Sequence, residues 1–209
     1  MPSAGDHVVQ HTSWSVQLVL TSCYSLLVLG SATGKISRAE CIGNIADGIN
    51  AAHQRTEGSS VRIVLENMSC QGNTIGGDLK ELKQIIDLVE NKKRVGVCLD
   101  TCHAMAAGYD LSCQDGFDRM IQEFGSEVGW KWLLGCHIND SQGPAGCHAD
   151  RHQNIGKGTI GLEGFRRILN CPHFTDIPLI LETPLSQEHG FMGYKAEMDL
   201  LLSLIDKKK

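Results

Sequence analysis

Seven side chains in this sequence have the types and positions to do chemistry together: Glu66, Asp100, His103, His137, Asp150, His152 and Glu182. Carboxylates and imidazoles without a thiolate among them suit zinc, manganese or iron in a catalytic role. Seven such ligands are more than one ion takes, so more than one ion is implied. Clustered divalent ions in turn suit hydrolysis of a phosphodiester, since they acidify water near neutral pH and neutralise the leaving oxygen.

Taken singly, most of these residues have an ordinary account. Asp100 could cap the turn that follows it, and Asp150 and His152 could be an exposed loop pair. His7, His11, His53, His173 and His189 read as satisfied core or surface residues, and His148 falls outside the pattern. Position is what argues for a joint role. All seven fall at the ends of expected strands or in the loops after them.

The elements that must position them alternate along the chain. Short apolar runs predict strands at Tyr24 to Leu29, Arg62 to Asn67, Val95 to Asp100, Trp132 to His137 and Pro178 to Glu182. Between them lie helical patterns. Ser37 and Glu40 form a capping box ahead of the stripe Ile42, Ile45, Ala46 and Ile49. Asp78 precedes Leu79, Leu82, Ile85, Ile86 and Val89 on one face. Further helices are expected at Phe117 to Phe124, Leu162 to Leu169 and Lys195 to Ile205. Nearly continuous apolar strands between amphipathic helices indicate a parallel sheet buried on both faces, with its active site at the strand C-termini. Five βα units against the eight of a complete barrel predict an α/β fold that is a partial TIM (β/α) barrel, strands four to eight. Residues 24–209 form it and residues 1–23 lie outside it.

At 209 residues with 42% hydrophobic content, the chain is enough for one well-buried domain. A net charge of −5 excludes binding of nucleic acid through overall basicity, so such a partner would be held by a local patch or by metal ions. The lysines 207–209 read as a solvated end. Nine cysteines, an odd number without CxxC spacing, read as reduced and buried thiols of an intracellular protein. Residues 16–32 are largely apolar and end in Gly30-Ser31-Ala32, as a cleaved leader would. However, no Lys or Arg precedes Lys35, and Gln17, Thr21, Ser22 and Ser25 interrupt the run, which favours a buried strand pair.

Five segments are long enough to compare with a known family. E-N-M-S-C-Q-G-N (66–73), V-G-V-C-L-D-T-C-H-A-M-A-A-G-Y-D (95–110), H-I-N-D-S (137–141), D-R-H-Q-N-I-G-K-G-T-I-G (150–161) and P-L-I-L-E-T-P (178–184) resemble signatures of endonuclease IV, the zinc-dependent nuclease of abasic DNA. The resemblance covers about residues 24–206. It implies base-excision repair, with cleavage 5′ to an abasic sugar in double-stranded DNA by a three-zinc site. It also implies ligand roles. Glu66 would bridge sites one and two, Asp100, His137 and Glu182 would complete site two, and His103, Asp150 and His152 would form site three. Glu182 and Glu66 are the expected catalytic carboxylates, and Lys157 and Asn139 the expected DNA contacts.

The family's site one also takes two histidines from earlier strands. Here L-V-L-G-S (27–31) puts Val28 where one belongs, and the other falls in a region this chain lacks. Two zinc ions are therefore expected, with manganese as the alternative metal, and impaired cutting. The rival readings are a zinc- and DNA-binding product that does not cut, and a metal-dependent sugar isomerase on a related barrel. The location implied is the nucleus, or the mitochondrion, of a eukaryote and the cytoplasm of a bacterium. No membrane partner is expected, and self-association through exposed barrel edges is. The glycine-rich loop Asn154 to Gly161 could hold phosphate on its backbone amides.

Overall fold

The computed structural model describes residues 24–27, 29–32, 36–185 and 190–206. Expectations for residues 1–23, Val28, His189 and the lysines 207–209 lie outside the described residues. Five strands run parallel, β1 (Tyr24–Leu27), β2 (Arg62–Glu66), β3 (Val95–Asp100), β4 (Leu133–His137) and, after the two-residue strands β5 (Asp140–Ser141) and β6 (His152–Gln153), β7 (Leu179–Ile180). The sheet order is β1-β2-β3-β4-β7, while β5 and β6 form a separate antiparallel pair. Among the described residues the sheet is open, with β1 and β7 at its edges. This is the expected partial TIM barrel.

The helices form where capping and apolar stripes meet. The Ser37 hydroxyl accepts from the Glu40 amide at 3.1 Å and starts α1 (Arg38–Arg55), which buries Ile42, Ala46 and Ile49. The Asp78 carboxylate accepts from the Lys80 amide at 2.9 Å and starts α2 (Leu79–Leu88), which buries Leu79, Leu82, Ile85 and Ile86. Arg38 grips Glu81 with two bonds of 2.6 and 2.8 Å, tying the two helices together.

Three expectations need correction. The last strand is Leu179–Ile180, not Pro178 to Glu182, because it meets one neighbour only and has two paired residues with β4. Glu182 therefore lies two residues past the strand. The closing helix α6 begins at Met192 rather than Lys195. The helix α3 (Thr101–Ala107) has no counterpart among the expected elements. It follows β3 with no loop between them and is buried on nearly every side, so it has no polar stripe to betray its period. Helices α4 (Gln114–Glu123) and α5 (Gly161–Leu169) fall close to where the pattern places them.

Candidate metal centre

Strand register gathers the first group of ligands. Alternation sends Leu65, Val97, Leu99 and Cys136 into the hydrophobic core and turns Glu66, Asp100 and His137 to the opposite face. Asp100 pairs directly with His137, and Glu66 pairs with Cys98, one step away. Glu182 reaches the same place from beyond β7. Its amide donates to Asn139 Oδ1 at 2.8 Å. His137 Nδ1 then lies 2.8 Å from Glu66 Oε1, 2.9 Å from Glu182 Oε2 and 3.8 Å from Asp100 Oδ2. One ligand atom from each of these four residues falls within 4.8 Å of the others.

The second group is His103, Asp150 and His152. Asp100 serves both groups. Its Oδ1 caps α3 by accepting the His103 amide at 2.8 Å, and its Oδ2 lies 3.7 Å from His152 Nε2. One oxygen of this carboxylate thus caps the helix while the other faces the two imidazoles. His152 is carried by β6, and the Asp150 amide donates to Gln71 Oε1 of the loop after β2 at 3.1 Å.

The imidazoles of this group are set up to bind an ion. His103 Nδ1 lies 2.8 Å from the Asn67 carbonyl and His152 Nδ1 lies 3.0 Å from the Glu182 carbonyl. A carbonyl can only accept, so each Nδ1 carries a hydrogen, and in the neutral ring each Nε2 presents a lone pair. Both Nε2 atoms are buried and make no hydrogen bond. Asp150 Oδ1 sits 3.2 and 3.3 Å from them. Three acceptors converging on one point repel unless a cation lies between them, so this donor set fits a metal ion.

A sequence model of the family described as xylose isomerase-like TIM barrel matches residues 16–204. The chain belongs to this family. It is 47% identical over 175 residues to a probable endonuclease 4 of Chlorobium phaeovibrioides, a match spanning 84% of this chain and 60% of that protein. It is also 47% identical over 155 residues to an apurinic-apyrimidinic endonuclease of Caenorhabditis elegans, spanning 74% of this chain and 39% of that one. The crystal structure of endonuclease IV from Thermus thermophilus superposes with a TM-score of 0.70 at 29% identity, covering 87% of this chain and 62% of that one. The chain thus spans less than two thirds of the length of each, and the endonuclease IV resemblance carried by its motifs is upheld.

Electrostatics make the same demand for positive charge. Burial alone would lower the His103 imidazole, but Asp150, Asp100 and Glu66 outweigh it and raise it to about 9. His137 is likewise raised against its burial, by Cys98, Glu182 and Glu66. The protonated His137 holds Glu182 below the usual carboxylate range, and His103 does the same for Asp150. Full burial pushes Asp100 the other way, up. Without a metal ion, then, protons fill the role of the cation. Cys102, which is not among the seven expected ligands, also lies beside Asp100 and His152. Its thiol is pushed up to about 12 by burial and then by Asp100, and it donates to the Arg151 carbonyl, so it stays protonated.

Two expected DNA contacts are corrected. Asn139 is fully buried, and its side chain is spent on Asp100 and Glu182 rather than presented to solvent. The loop Asn154 to Gly161 does not offer its amides to phosphate. Those of Gly156 and Gly158 donate to Asp140 Oδ2 at 2.9 and 3.0 Å, and that of Ile160 donates to Asp140 Oδ1 at 3.0 Å. The amides of Ile155, Lys157 and Thr159 are taken by Glu197, Asn154 and Ser141. What the motif does present to solvent is the charged side chain of Lys157. Sequence reasoning missed Asn67, Thr101, Gln71 and Asp140 as supports. The one visible signal was an asparagine directly after Glu66 and another two residues after His137. His148, which falls outside the expected ligand set, is exposed and belongs to neither group. His173 stacks on Trp130 at 3.9 Å, and His53 is buried against the Arg94 carbonyl.

Proposed function

We propose that this chain is a zinc-dependent endonuclease of DNA repair, hydrolysing the phosphodiester 5′ to abasic sites in double-stranded DNA. The observation that carries the reading is the pair of carboxylate–imidazole groups at the strand C-termini of a chain 47% identical to proteins named as endonuclease 4 and apurinic-apyrimidinic endonuclease. Glu66, Asp100, His137 and Glu182 would hold one ion, and His103, Asp150 and His152 a second. Bound zinc, or manganese in its stead, would supply the charge that activates water and steadies the leaving oxygen. Glu182 is the most exposed carboxylate of its group, at 40% of its side chain. In this reading Glu182 would meet substrate as a catalytic carboxylate, while buried Glu66 holds His137. Lys157 would meet a DNA phosphate.

Val28 stands where the family motif has a histidine. We infer from this that the chain holds two zinc ions and cuts weakly compared with a full-length relative. The sugar isomerase reading has only the shared barrel in its favour, whereas the relatives named above are nucleases. Nuclear or mitochondrial location in a eukaryote, or cytoplasmic in a bacterium, would follow from the DNA substrate. No helix among the described residues is long and apolar enough to cross a membrane. The open edges β1 and β7 would favour self-association. The test is single-turnover cleavage of a duplex carrying one tetrahydrofuran abasic analogue, with metal content measured on the same sample. Slow, zinc-dependent incision at the analogue supports the reading. No incision at any zinc concentration removes the nuclease and leaves a binding product.

A further inference from the structure

We infer that Asn139 is a positioning residue that fixes the metal-facing carboxylate of Asp100 and the chain end carrying Glu182, an inference that rests on the metal-centre reading above. Each of its polar groups has a partner. Its amide and carbonyl are clamped on the Thr101 hydroxyl at 2.9 and 2.6 Å, which ties it to the first residue of α3. Its Nδ2 donates to Asp100 Oδ2 at 2.6 Å, and its Oδ1 accepts the Glu182 amide at 2.8 Å. One side chain therefore spans the ends of β3, β4 and β7, the strands that bring Asp100, His137 and Glu182 together.

The oxygen it holds is the one that matters. Asp100 Oδ2 is the atom lying 3.8 Å from His137 Nδ1 and 3.7 Å from His152 Nε2, whereas Oδ1 is turned away to cap α3. Asp100 is completely buried, and among the described residues two hydrogen-bond donors, the His103 amide and Asn139, hold the orientation of its carboxylate. The chemical choice of an amide is informative. A lysine or arginine at that point would neutralise the charge an ion needs, whereas a neutral amide orients the carboxylate and leaves its charge available. Asn67 does the complementary task on the backbone. Its side chain bonds both the amide and the carbonyl of Asp100, at 2.6 and 3.2 Å.

The test compares the unmodified chain with Asn139→Leu and the isosteric Asn139→Asp, measuring zinc stoichiometry and affinity by chelator competition. The visible absorption of the cobalt-substituted chains is recorded alongside. Far-ultraviolet circular dichroism of the zinc-free chains checks the fold. We expect Asn139→Leu to fold and to lose about 10–100-fold in affinity for one ion, as loss of an outer hydrogen bond to a ligand does, with the second ion affected less. The cobalt spectrum should change with it. Asn139→Asp keeps the shape but, once ionised, cannot donate to Asp100, so it should shift the affinity of that same ion more than that of the other. A purely structural role would not give the difference between the two ions. Equal affinities in all three chains, or equal loss of both ions, would overturn the inference alone. Should Asn139→Leu not fold, Asn139→Asp decides, and affinities for both ions equal to those of the unmodified chain overturn it. An unmodified chain that takes up no zinc overturns the metal-centre reading and this inference together.

Discussion

Replacing Asp140 by asparagine changes one atom and should cost the fold heavily. Asp140 is fully buried, and each of its oxygens accepts two backbone amides. Oδ1 takes those of Ser141 and Ile160 at 2.8 and 3.0 Å, and Oδ2 takes those of Gly156 and Gly158 at 2.9 and 3.0 Å. Asparagine has one oxygen and one amino group. Whichever way its amide is turned, two backbone donors face two further donors and lose their acceptor. A buried group left unsatisfied costs about 1–3 kcal/mol, so the pair should cost about 2–6 kcal/mol. Typical domains have a total stability of about 5–15 kcal/mol, so this is a large share. The assay is urea unfolding of Asp140→Asn beside the unmodified chain, both zinc-free. The loop concerned follows His152, and β5, which carries Asp140, pairs with β6, which carries His152. Zinc affinity at His103, Asp150 and His152 should therefore fall as well. A loss under about 1 kcal/mol would refute the reasoning, since it would mean that the loop finds other partners at little cost.

Gly158→Ala attacks the same contact from the other side, because an added Cβ would lie 2.3 Å from the Ser141 carbonyl oxygen and 2.4 Å from Asp140 Oδ1. Its unfolding free energy should drop, and the double variant with Asp140→Asn should lose clearly less than the two single losses added; strict additivity would show that they break separate structures. Glu182→Gln should lower zinc content and abolish incision, while Lys157→Ala should keep the zinc, weaken DNA binding and reduce its salt dependence by about one charge. In the zinc-free chain His103 is raised from an ordinary 6.5 to about 9, so its stabilising effect is complete below about pH 6.5 and is lost as the pH rises through 9, on the order of 3 kcal/mol at most. Zinc would take the place of that proton and so bind better as the pH rises. The gap in Tm between loaded and zinc-free chains should therefore widen over this range, and a constant gap in thermal melts would contradict it.

The sheet was legible because parallel strands buried on both faces leave uninterrupted apolar runs, as in V-G-V-C-L at 95–99. Glu66, Asp100, His137 and Glu182 stood out because a carboxylate or imidazole at the end of such a run contrasts with it, whereas His103, Asp150 and His152 were read from the motifs that follow. Helix α3 was hidden by the reverse effect, since Cys102, Ala104, Met105 and Ala106 are all buried and look like more of the strand before them. The short β7 was over-read because apolar residues continue past the point where edge pairing stops. Supports for the ligands left no such trace. Asparagine and glutamine are ordinary residues in the turns after strands, and nothing in Gln71 or Asn67 announces that a partner lies across the site.

The glycine-rich loop shows why the site's surroundings are harder to read than its ligands. Sequence gives the supply of backbone donors in N-I-G-K-G-T-I-G but not the acceptor, and the same amides that could cradle a phosphate can cradle a carboxylate of the chain itself. Here the acceptor is the aspartate of H-I-N-D. That tetrapeptide divides its work by direction. His137 and Asn139, on one face, turn to the carboxylate–imidazole groups, one bonded to Glu66 as a candidate ligand and the other bonded to Asp100. Ile138, between them, is buried in the hydrophobic core. Asp140 turns to the loop that follows His152 and fixes where that second group's ligand lies. A substitution at Asp140 should therefore be felt first at His152 and one at Asn139 first at Asp100, although the two residues are adjacent in the chain.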